Sequence, residues 1–141
     1  MRRIADRTIL VVEPDLKARA QLRAALEGDG YSVIAASDAD EALAIVDRAR
    51  IALVVTELYL NNRKSRCLVY AMCGPSPYRR TKVLAYTQHS RARDRAWAVA
   101  SGADGYVLKK NGEARLLEVA GRLSRRGSRG KRSAPRPTDV Q

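Results

Sequence analysis

Five short aliphatic and β-branched runs punctuate the chain, at residues 8–12, 31–35, 52–56, 82–86 and 105–108. None alternates apolar with polar positions, so each predicts a strand covered on both faces, as in a parallel sheet. Helical spacing fills the intervals. Ala18, Leu22, Ala25 and Leu26 share one face after the first run, and Ala42, Leu43, Val46 and Ala49 share one after the second. Asp38 stands at an N-cap position with Glu41 three residues on, the pattern of a capping box. After the fourth run, Ala92, Ala96, Val99 and Ala100 predict a small-residue face that stops at Gly102. Leu116, Leu117, Ala120 and Leu123 mark the last helix. A weaker helix is expected around Cys67, Leu68, Ala71 and Met72, closed by Gly74 and Pro75.

Strands alternating with helices make right-handed βαβ units. Five such units predict one α/β domain of flavodoxin-like (βα)5 form, a doubly wound parallel sheet with strand order 2-1-3-4-5. The pattern covers residues 7–125. Residues 126–141, rich in Arg, Gly, Ser and Pro and without an apolar period, predict a basic disordered tail.

Charge changes this picture more than composition does. The chain of 141 residues carries a formal net charge of +12. Residues 57–96 hold nine Lys/Arg against two Asp/Glu, and residues 122–141 hold seven against one. Blocks of this kind attract phosphate-bearing partners or simply form a solvated surface. No apolar run approaches the roughly 20 residues of a membrane span, and no secretory leader is visible. Cys67 and Cys73, six apart with one histidine in the whole chain, match neither a zinc site nor a redox pair. They read as thiols of a reducing cytoplasm.

In an open parallel sheet, ligands gather beyond the carboxyl ends of the strands. There the first strand delivers Glu13, Pro14 and Asp15, the third Glu57, the fourth Thr87 and the fifth Lys109. Two carboxylates, a hydroxyl and a lysine meeting in one crevice suit an anionic group, with the acids available to a divalent cation.

These residues, in this order and spacing, resemble the receiver domain of bacterial response regulators in two-component signalling. Ile9-Leu10-Val11-Val12-Glu13 is similar to that family's first strand and acidic pair, and Arg19 stands where its first helix often carries arginine. Val54-Val55-Thr56-Glu57-Leu58-Tyr59-Leu60 resembles its third strand, with Glu57 at the phosphoacceptor aspartate. Thr87 takes the switch-hydroxyl position. Gly102-Ala103-Asp104-Gly105-Tyr106-Val107-Leu108-Lys109 puts Tyr106 at the switch aromatic and Lys109 at the phosphate-binding lysine.

The departures point to a degenerate site, a pseudo-receiver. Pro14 replaces the second acid and cannot ligate Mg²⁺, leaving Glu13 as the one family-type metal ligand. Glu57 is one methylene longer than aspartate and reaches into the space a phosphoryl group would take, where placement tolerates only fractions of an ångström. The family's proline after the lysine, usually cis, is Lys110. A cis bond before a non-proline residue costs about 3 kcal/mol, so the loop is expected to have changed shape. The loop after the third strand reads Asn61-Asn62-Arg63-Lys64-Ser65-Arg66.

Three readings follow. The first is a stand-alone, non-enzymatic signalling module in the cytoplasm, independent of phosphorylation and of any cofactor. It binds a protein partner (a histidine kinase, an output protein or a second copy). The contact face is the helix after the fourth strand with the fifth strand and the last helix, presenting Trp97, Arg91, Arg93 and Arg95. Glu57 pairs with Lys109 in place of phosphate or marks a decayed site. The second is a conventional phosphoacceptor in which Glu13 and Asp15 hold Mg²⁺. The third is a nucleic-acid-associated protein that binds through its tail by counterion release. His89, alone in a loop, is expected at the surface.

Overall fold

The computed structural model describes residues 7–60 and 81–125. The expected strand at 8–12 appears as β1 (Thr8–Val12), followed by α1 (Leu16–Gly28). Next come β2 (Ser32–Ala36), α2 (Ala39–Arg48) and β3 (Leu53–Thr56). Beyond the undescribed segment lie β4 (Lys82–Thr87), α3 (Ala92–Ala100), β5 (Gly105–Leu108), a 3-10 turn (Lys109–Asn111) and α4 (Gly112–Ser124). All strands pair in parallel in the order β2-β1-β3-β4-β5. The weak helix expected near Cys67, both cysteines and the tail fall outside the described residues.

The strands read as uninterrupted apolar runs because alternate side chains serve two different layers. Ile9, Val11, Leu53, Val55, Leu84, Tyr86 and Val107 pack under α1 and α4 with Leu22, Leu26, Leu116 and Val119. Leu10, Val12, Val54 and Val83 face the other way, against Ala39, Ala42 and Ile45 of α2. Farther along that second face, Ala85, Tyr106 and Leu108 pack with Leu58 and with Ala98 of α3. Full burial of one such aliphatic side chain contributes roughly 1.5–3 kcal/mol.

Local chemistry sets the helix ends. The Asp15 carboxylate accepts from the Ala18 N–H at 2.8 Å and starts α1. Asp38 caps α2 through the Glu41 N–H at 2.8 Å. The returning Glu41 carboxylate accepts from the Ser37 N–H at 2.9 Å, one residue outside the usual capping box. Gly102, at φ +107, lets the chain leave α3, with its N–H on Val99 O. Asp104 then ties β5 to β4: its carboxylate accepts from the Val83 N–H, and its own N–H donates to Val83 O, both at 2.8 Å.

The face of α3 differs from the expected one. Ala92, Ala96 and Ala100 are exposed, while Asp94 and Ala98 are buried and Trp97 is half-buried against the Tyr106 cluster. A buried carboxylate replaces an alanine on the inner line because the Tyr59 hydroxyl donates to it.

Candidate functional site at the carboxyl edge of the sheet

β1 and β3 run on as neighbours past their last paired residues. The Glu57 N–H donates to Val12 O at 3.0 Å, and the Glu13 N–H to Ala36 O at 3.0 Å. Glu13 and Glu57 therefore leave the sheet side by side, and β5 brings Lys109 to both. The Lys109 Nζ lies 2.7 Å from Glu13 Oε1 and 3.1 Å from Glu57 Oε2. The remaining carboxylate oxygens are engaged by backbone. Glu57 Oε1 accepts from the Leu58 N–H at 2.8 Å, and Glu13 Oε2 from the Asp15 N–H at 3.1 Å. Arg19 donates to the carbonyls of Glu13 and Pro14 at 2.8 and 3.2 Å, holding the β1–α1 turn from the helix side.

The two carboxylate side chains are 7% and 10% exposed, whereas that of Lys109 is 30% exposed. Burial pulls the lysine pKa down, but its hydrogen bond to Glu13 and the charge of Glu57 outweigh that pull and hold it above the ordinary lysine value. The ammonium is thus a permanent counterion shared by two acids. An open cavity of about 600 Å³ lies over this group and is lined also by Pro14, Asp15, Tyr59 and His89.

A Mg²⁺ ion needs carboxylate oxygens free to take up near-octahedral geometry. Pro14 offers none, and the exposed Asp15 side chain is spent on capping α1. Glu13 and Glu57 are tied to the ammonium and to backbone N–H groups. The acids as arranged do not form a Mg²⁺ donor set, and among the described residues no cluster of three His, Cys, Asp or Glu side chains is placed to hold a metal.

Thr87 and Tyr106 meet at a residue the sequence reading left at the surface. His89 is half-buried. Its N–H donates to Thr87 Oγ1 at 3.2 Å, and its carbonyl accepts from the Tyr106 hydroxyl at 2.8 Å. Its ring stands edge-on to Tyr59, with centroids 4.7 Å apart and planes at 79°. Tyr59 in turn donates to Asp94. The Tyr106 ring is fully buried, and burial first, then the nearby Asp94 charge, pushes its hydroxyl pKa far above the ordinary tyrosine value. So the Tyr106 ring points inward, and the Thr87 hydroxyl is held by the His89 loop.

Tyr59, His89 and Asp94 were not legible as one group. The signal available was Asp94 itself, a lone acid among Arg91, Arg93 and Arg95. Arg91 and Arg93 are exposed at the start of α3, which has no side-chain cap; Arg95 is half-buried and donates to Ser90 O at 3.2 Å. Lys109 opens a 3-10 turn with Lys110, and Gly112 follows at φ +86; no cis peptide bond occurs among the described residues. The loop 61–66 and the tail that carried the nucleic-acid reading lie outside the described residues. No described helix is long and apolar enough to cross a membrane.

A model of the response regulator receiver domain matches residues 9–120. A probable transcriptional regulator ycf27 of Porphyridium aerugineum is 32% identical over 124 residues, covering 85% of this chain and 50% of that protein. The chain therefore spans about half the length of that relative. An uncharacterized 14.6 kDa protein of Leptolyngbya boryana is 30% identical over 109 residues, covering 77% of this chain and 83% of the other. Among solved structures, the chemotaxis protein CheY4 of Vibrio cholerae superposes with a TM-score of 0.76 at 26% identity, covering 83% of this chain and 98% of that one.

Proposed function

Because the chain belongs to the response-regulator receiver family, we propose that it is a receiver-like signalling module whose conformation is set without aspartyl phosphorylation and which acts by binding protein partners. The observation that carries this reading is the bridging of Glu13 and Glu57 by Lys109. In a receiver, the lysine of the fifth strand is the group that would meet an incoming phosphoryl group. Here Glu57 supplies the negative charge itself, from the position of the phosphoacceptor. Both carboxylate oxygens are engaged, Oε2 by the ammonium and Oε1 by the Leu58 N–H, so attack by either would first break its contact, and it would start displaced by one methylene.

The inward Tyr106 supports a settled state rather than a poised one. Its hydroxyl is satisfied by His89, and the same loop is also held by Tyr59 and Thr87. The partner face in this reading comprises α3, β5 and α4. Arg91 and Arg93 are exposed there, and Trp97 sits at its edge, packed against the Tyr106 cluster. The module works by contact and performs no chemistry of its own.

The test is exposure of the full chain to acetyl phosphate, read by intact mass, and to Mg²⁺ with beryllofluoride, read by Trp97 fluorescence and amide shifts. The expected result is no phosphoryl adduct and no saturable response. Saturable binding with shifts at Thr87 and Tyr106 overturns the reading and restores the phosphoacceptor. Glu57→Gln then separates a built-in phosphate mimic, which loses partner binding, from a structural remnant, which keeps it.

A further inference from the structure

Tyr86 lies on the opposite face of the sheet from Tyr106, among the residues under α1 and α4. It is 9% exposed as a residue, and its hydroxyl is not among the buried side-chain atoms left without a partner, because it opens onto solvent. The Tyr86 side chain lines a crevice of about 220 Å³ between α1 and α4. Gln21 and Glu113, both exposed, stand on its rim, and Leu22 forms an apolar wall. Neither Gln21 nor Glu113 makes a hydrogen bond or ion pair within the described residues. Glu13 and Lys109 close the inner end, where they neutralise each other.

The crevice thus offers an unspent carboxylate, an unspent phenol and an unspent amide around an apolar wall. Its net charge is negative in a chain of strongly positive charge. Its volume is below the roughly 300–1,000 Å³ of sites for drug-sized ligands, so its occupant is the size of one side chain. An anion is disfavoured because Lys109 is already committed to two carboxylates. A planar guanidinium matches the groups present: its fork pairs with one carboxylate, further N–H groups reach the phenol and the amide, and its methylene stem covers the apolar wall.

We propose that this crevice is a binding site for an alkylguanidinium group, with Glu113 as its counterion and Tyr86 and Gln21 as its hydrogen-bonding partners. The group comes from an arginine of a partner protein or from a free small guanidine. The site shares Glu13 and Lys109 with the cavity at the carboxyl edge. It rests on the reading that Lys109 stays committed to Glu13 and Glu57, whereas its probes report at Gln21, Leu22 and Glu113, away from the phosphoacceptor position.

The experiment titrates the full chain with agmatine and, separately, with arginine capped at both ends, reading amide shifts at constant ionic strength. Saturable shifts at Gln21, Leu22 and Glu113 are expected. Glu113→Gln weakens binding about tenfold, the loss of one charge-assisted pair. Tyr86→Phe weakens it while keeping the ring and its packing, so a folded variant is assured. Capped arginine binding as well as agmatine assigns the site to a partner's side chain; binding of agmatine alone assigns it to a free guanidine. Shifts that stay linear with both probes, or affinities unchanged in both variants, overturn the proposal.

Discussion

The Tyr106 hydroxyl donates to the His89 carbonyl across 2.8 Å, joining a fully buried ring on β5 to the loop that leaves β4. That bond fixes the ring inward and stretches the loop over it. Tyr106→Phe keeps the ring and removes the donor. The His89 carbonyl is then left without its protein partner, which costs about 1 kcal/mol. Urea unfolding followed at Trp97, in the same apolar cluster, is expected to show a lower midpoint at unchanged slope. An unchanged midpoint would mean that the bond does not hold the loop.

Lys109 neutralises two carboxylates whose side chains are 7% and 10% exposed, while its own is 30% exposed. Removing the shared partner strands both acids, and removing one acid strands neither. Lys109→Met is therefore expected to destabilise by about 2 kcal/mol, less than a fully buried pair would because water screens the ammonium. Glu57→Gln is expected to cost less than half as much, since Glu13 still holds the ammonium. Equal losses in the two variants would contradict the shared-counterion arrangement.

Tyr59 also reaches the loop, through its edge-to-face ring contact with His89 and its hydroxyl on the buried Asp94. Tyr59→Phe leaves that carboxylate without its donor, an expected loss of about 1–2 kcal/mol. Because Tyr59 and Tyr106 both act on His89, a double-mutant cycle between Tyr59→Phe and Tyr106→Phe is expected to show a coupling above about 0.5 kcal/mol. Additive losses would mean that the loop is pinned at two independent points.

The sheet was legible because each strand feeds two apolar layers, so the runs stood out without alternation. The strands moved by at most one residue at either end; β4, for example, extends to Thr87. The convergence of Glu13, Glu57 and Lys109 followed from topology alone, since parallel strands deliver their ends to one edge. Two things were hidden. The inner line of α3 was read from alanines, whereas Asp94 is turned inward by a hydroxyl 35 residues away, a long-range bond that leaves no trace in local periodicity. The role of His89 rests on its backbone N–H and carbonyl, which every residue but proline possesses. Its side-chain identity therefore carried no sign of it.

The alkaline limb of the stability curve should report the site directly. The Lys109 pKa is raised in the folded chain, despite burial, by the Glu13 hydrogen bond and the Glu57 charge. The folded state therefore keeps a proton that the unfolded state begins to release near pH 10.4. Where the native state binds more protons, stability falls as pH rises. The contribution of Lys109 is fully present below about pH 10.4 and is lost as pH rises through its folded value. Tyr106 acts in the same direction, because burial keeps its hydroxyl protonated well beyond the pH of about 10 at which an unfolded tyrosine ionises. Denaturant midpoints measured between pH 8 and 11 should fall steeply at the upper end. Lys109→Met should flatten one part of that fall and Tyr106→Phe another. A wild-type curve that stays level to pH 11 would show that neither group gains its proton affinity from the fold, and the counterion role of Lys109 would fall with it.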